Sequence, residues 1–89
     1  EIETESPNLS NNILTVFPNP ASNVLTIRNS HWEQVVEYTV YSLQGSIVLK
    51  LQNPNSETQT IDISNLSKGM YILQVRSNDH IENLKFSKQ

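Results

Sequence analysis

The sequence has no cysteine, only two glycines, one methionine and one tryptophan, and aromatic residues fill just 7% of its 89 positions. Without cysteine there is no disulfide, no thiol nucleophile and no Cys-based zinc site. Gly45 and Gly69 are too far apart for a phosphate-cradling glycine loop. Charge is sparse: 17% of residues are charged, the net charge is −3, and the six Lys and Arg are spread along the chain. That spread excludes the basic patch by which nucleic acid or an anionic membrane surface is gripped. No apolar run approaches the roughly 20 residues of a membrane-spanning helix. The opening Glu1-Ile2-Glu3-Thr4-Glu5 has neither the basic nor the apolar region of a signal peptide. The chain therefore reads as a terminal piece whose export address, if it has one, lies on a larger precursor.

Asn and Ser are abundant, with eleven residues each, and suit the polar loops of a secreted or surface protein. The length allows one domain with a small core. Residues 1–12 are acidic and then polar, offer little to bury, and read as a linker from a preceding protein, leaving 13–89 as the folded domain. From Ile13 onward apolar residues recur with period two, and no window sustains a helical stripe. Seven strands are predicted, at about 13–17, 24–28, 36–41, 47–51, 59–63, 70–76 and 81–86. Each has one apolar face: Leu25 and Ile27; Val36, Tyr38 and Val40; Ile47, Leu49 and Leu51; Ile61 and Ile63; Tyr71, Leu73 and Val75; Leu84 and Phe86. Strands buried on one side form antiparallel sheets, and two such sheets must stack to cover those faces. The predicted fold is all-β, an immunoglobulin-like antiparallel β-sandwich without the Cys pair of true immunoglobulin domains.

The breaks between strands carry turn chemistry. In Val16-Phe17-Pro18-Asn19-Pro20-Ala21-Ser22-Asn23, Pro18 and Pro20 fix two φ angles and remove two donors, which predicts a rigid corner. Ser42-Leu43-Gln44-Gly45 reads as a hairpin loop ended by a left-handed Gly45, residues 52–56 as a longer polar loop, and Ser77-Asn78-Asp79-His80 as a tight turn. In Leu66-Ser67-Lys68-Gly69-Met70-Tyr71, Leu66 is expected to plug one end of the sandwich. Gly69 is expected to take a backbone geometry closed to other residues, and Tyr71 to bond backbone upstream as in a tyrosine corner.

Catalytic constellations are missing. His31 and His80 stand alone at turn ends, Asp62 falls on an outward strand face, and nothing resembles a nucleophile elbow. Trp32 reads as a lid over one end of the sandwich; with Tyr41 it offers the alternative of a carbohydrate- or protein-binding platform.

Taken together, the Phe17-Pro18-Asn19-Pro20 corner, the strand Val24-Leu25-Thr26-Ile27, Val40-Tyr41-Ser42-Leu43-Gln44-Gly45, the Leu66…Gly69…Tyr71 corner and a last strand with Lys85, Phe86 and Lys88 resemble one family. It is the C-terminal sorting domain of the type IX secretion system of Bacteroidota, the Por secretion tail. Ser42 and Ser46 replace the Asp and Lys common in that family around the hairpin glycine. The resemblance implies a non-catalytic label, with no cofactor and no metal, that directs a periplasmic cargo across the outer membrane. The implied partners are outer-membrane secretion components (translocon, shuttle protein and sortase), not nucleic acid, with no direct membrane insertion and a monomeric domain. It further implies that a surface sortase cuts in or before residues 1–12, with lipopolysaccharide attached to the cargo in its place. The exposed lysines and the last strand are the expected recognition elements.

Overall fold

The structure, a computed structural model, describes residues 14–89, so the linker reading of 1–12 and Ile13 lie outside the described residues. Seven strands follow in order: β1 (Leu14–Phe17), β2 (Val24–Asn29), β3 (Val35–Ser42), β4 (Ile47–Gln52), β5 (Thr58–Asp62), β6 (Gly69–Ser77) and β7 (Ile81–Lys88). They form a three-stranded sheet in the order β1-β2-β5 and a four-stranded sheet in the order β4-β3-β6-β7. Every neighbouring pair is antiparallel. A 3-10 turn, Trp32–Gln34, carries the chain from the first sheet to the second.

The alternation read in the sequence is the alternation of burial. Leu25 and Ile27 of the smaller sheet, with Ile63 just past β5, are fully buried against Tyr38, Val40, Leu73, Val75 and Phe86 of the larger. Each large apolar side chain removed from water contributes about 1.5–3 kcal/mol. Most of the stability of so small a domain therefore rests on this single layer. Tyr71 and Phe86 face each other across β6 and β7 and stack, with ring centroids 5.8 Å apart.

Two breaks in register correct the expected faces. Between Val35 and Glu37 the β3–β6 pairing slips, so Val35 is buried and Val36, expected in the core, is only half-buried. Between Val40 and Tyr41 the β3–β4 pairing skips Val48, which places Ile47 opposite Tyr41. Ile47, also expected inward, is consequently 52% exposed, and Val48 packs on the core instead. An extra residue on one strand of a pair reverses the alternation beyond it. A third departure is burial without apolarity. Glu37 and Thr39 lie on the outer face of β3 yet are buried, because β3 is central and its cross-strand neighbours Gln52, Arg76, Lys50 and Gln74 carry long side chains.

Candidate recognition surface

The pairing registers gather the sequence motifs at one end of the sandwich. Ser42 pairs with Tyr71, Gly69 with Lys88, and Ala21 bridges to Lys88 in the parallel sense. The 42–46 hairpin, the 66–71 corner, the 17–23 corner and the end of β7 therefore share that end.

The first corner turns through cis peptide bonds at Phe17-Pro18 and Asn19-Pro20. Pro18, Asn19 and Pro20 are exposed, whereas Ala21 is fully buried and pins the corner to the core. Asn19 reaches the far end of the chain: its Oδ1 accepts the Ser87 N–H at 3.0 Å. Beside it the Ala21 N–H donates to the Ser87 carbonyl and the Gln89 N–H to the Ala21 carbonyl, each at 2.8 Å. This clasp between sequence-distant segments was invisible in the sequence; an Asn between two prolines marks a turn but not its partner.

The second corner matches its expectation. Leu66 packs against the core and its N–H donates to the Ile63 carbonyl, while the Ile63 N–H donates to Asn23. Gly69 has φ +146°, a region that L side chains rarely adopt. The Tyr71 hydroxyl donates to the Ser67 carbonyl at 2.7 Å, closing a tyrosine corner. Gly45, at φ +92°, ends a hairpin in which the Gly45 N–H donates to Ser42 and the Ser42 N–H to Ser46. A shallow groove of about 450 Å³ runs between the two loops, lined by Leu43, Gln44, Lys68, Gly69 and Met70 among others.

On β7 the motif residues divide by face. Phe86 is fully buried, so its part is to seat the strand. Lys85 is exposed on the outer face opposite Ile72, and Lys88 is half-buried beside Gly69. The outer row Ile47, Tyr41, Ile72 and Lys85 runs across all four strands of the larger sheet, with Met70 next to it, 42% exposed. Further along the same face Glu37 accepts from Gln52 Nε2 at 3.2 Å and lies 3.4 Å from Arg76 and 3.6 Å from Lys50. The Gln52 hydrogen bond, with Arg76 and Lys50 behind it, holds the Glu37 carboxyl below its ordinary range against the opposing effect of burial. No feature of the sequence marked this hub, which needs three strands to assemble.

Nothing among the described residues converges as a catalytic site does. Asp62 is exposed and accepts from the Ser64 N–H at 2.9 Å and the Ser64 hydroxyl at 2.6 Å, which lowers its pKa and caps the turn. His80 is 3.0 Å from the neighbouring Asp79, and His31 lies in another loop. No group of three His, Asp or Glu among the described residues could hold a metal ion. An open slot of about 280 Å³ between β4 and β5 is mostly apolar, lined by Tyr38, Val40, Leu49, Leu51 and Ile61. Trp32 is half-buried in the 3-10 turn before β3, and Tyr41 stands near the opposite end of that strand. Roughly 20 Å of strand separates them, so they build no common platform. No helix among the described residues is long and apolar enough to cross a membrane.

Comparison with known proteins agrees with this geometry. Residues 15–89 match the model of the family described as the secretion system C-terminal sorting domain. A 62-residue stretch, 70% of the chain, is 42% identical to part of Beta-agarase D from Zobellia galactanivorans. The match spans only 12% of that protein's length. With the family model covering both corners, the hairpin and the last strand, the chain belongs to the secretion system C-terminal sorting domain family, the type IX sorting signals that it resembles in sequence.

Proposed function

We propose that this domain is a non-catalytic label that carries a periplasmic cargo through the type IX machinery to the cell surface or medium. The single observation that supports this most is the family match over residues 15–89, whose motif positions converge at one end of the sandwich. The cargo enters the periplasm on its own N-terminal signal peptide. A surface sortase then cuts before the folded domain, with lipopolysaccharide coupled to the cargo. An exposed linker admits a protease where paired strands do not. The similarity to part of a protein named an agarase supports a secreted hydrolase as cargo.

Recognition uses the motif-bearing end and the edge of β7, through Lys85, Lys88 and the corner residues Pro18, Asn19 and Pro20, while Leu66, Gly69, Tyr71, Gly45 and Phe86 hold the frame. Among the described residues no strand lies beyond β7, and its eight residues pair with β6 without a register break. The other edges are less suited to accept a strand: β1 has four described residues and stops short of Pro18, β5 has five, and β4 contains a bulge. The partners are translocon, shuttle and sortase components, met by a monomeric domain.

The test is a signal peptide and fluorescent reporter fused ahead of residues 1–89 in a Bacteroidota host with a working type IX system. The reporter is expected at the surface or in the medium, and to stay in the periplasm when residues 85–89 are removed. Periplasmic retention of the complete fusion would refute the reading.

A further inference from the structure

The clasp at the end of β7 has a directional consequence. Ser87 turns both its N–H and its carbonyl away from β6, toward Asn19 and Ala21. Successive residues of an antiparallel strand alternate in this respect, so Asn83 and Lys85 also turn their backbone groups to the outer edge. Residues 19–21 thus close the last part of that edge. They leave the part around 83–85 without a partner strand among the described residues. Beyond Phe86 the other anchorage is the end of the β6 ladder, which little side-chain packing supports. Ser87 and Lys88 pair with Met70 and Gly69, both exposed, and Gly69 has no side chain to pack.

We infer that Asn19 is a positioning residue for recognition: its side-chain oxygen, with the Ala21 backbone, holds Ser87, Lys88 and Gln89 in the extended form that the secretion machinery meets. This rests on the sorting function proposed above. Unclasped, the end must be ordered by the partner, at roughly tenfold in affinity per residue fixed.

The experiment uses the 89-residue chain, alone for amide exchange and behind the signal peptide and reporter for export, with Asn19→Ala and Asn19→Asp. Asp keeps an acceptor at the same place. In Asn19→Ala, exchange at Ser87 and Gln89 is expected to rise at least about tenfold, as for a frayed terminus, while Leu73 stays protected. Export falls several-fold, and Asn19→Asp restores both. Unchanged exchange at Ser87, or faster exchange with wild-type export, overturns the inference, as does export that Asn19→Asp fails to restore. Should Leu73 also lose protection in Asn19→Ala, deletion of Gln89 removes one clasp bond and leaves the corner intact. It must then lower export, and wild-type export from it counts against the clasp. A wild-type fusion held in the periplasm refutes the sorting function itself, and this inference with it.

Discussion

Replacing Tyr71 by Phe isolates one atom of the second corner. The ring is buried to 7% exposure and stacks on Phe86, and Phe keeps both that packing and its apolar area. What is lost is the 2.7 Å bond from the hydroxyl to the Ser67 carbonyl. Ser67 is exposed, so water can take over the freed carbonyl and no buried acceptor is stranded. The cost is then the net value of one hydrogen bond, about 0.5–1.5 kcal/mol. For a domain of this size 1 kcal/mol lowers Tm by about 4–8 °C. Thermal unfolding followed by circular dichroism, with urea titration as a check on two-state behaviour, measures it. A melting temperature equal to the wild type's would show that the corner contributes no stability. A fall of more than about 15 °C would show that the hydroxyl does more than close one turn. Either result would refute the reasoning.

Two further outcomes follow from the same structure. Phe86→Ala removes a fully buried ring shared by both sheets and is expected to cost about 3–5 kcal/mol. That is enough to leave much of so small a domain unfolded at 37 °C, as limited proteolysis would report; full protease resistance would contradict its place in the core. Glu37 titrates below its ordinary value of 4.5 when folded, so its contribution is fully present above that pH and is lost as pH falls through the lower folded value. Urea unfolding of wild type and Glu37→Gln from pH 7 to pH 2.5 is expected to show a stability gap at neutral pH that closes in acid. A gap that widens in acid would reverse the sign.

The sandwich was legible because each strand buries one face, and Leu25, Ile27, Leu73 and Val75 fall at the spacing that a half-buried strand requires. The tyrosine corner was legible because its parts are neighbours in sequence, with Tyr71 only four residues from Ser67. Ile47 lies outward and Val36 is only half-buried, against the alternation, because a bulge is a property of two strands and neither strand's pattern records it. Of the recognition end, the individual motifs could be read but not their meeting. Asn19 and Ser87 are 68 residues apart, and Glu37 draws Gln52, Lys50 and Arg76 from two other strands. Local propensity carries no information about such partners.

The stitch between Asn19 and Ser87 also sets a timetable. Contacts that join distant parts of a chain form late, since a large loop must close before they contribute. A polypeptide interrupted ahead of Phe86 lacks both a fully buried core ring and the strand end that the first corner grips. Only a chain that already carries Ser87 and Gln89 can fasten to Asn19 and Ala21, so this end of the sandwich is closed by the residues that come last to hand.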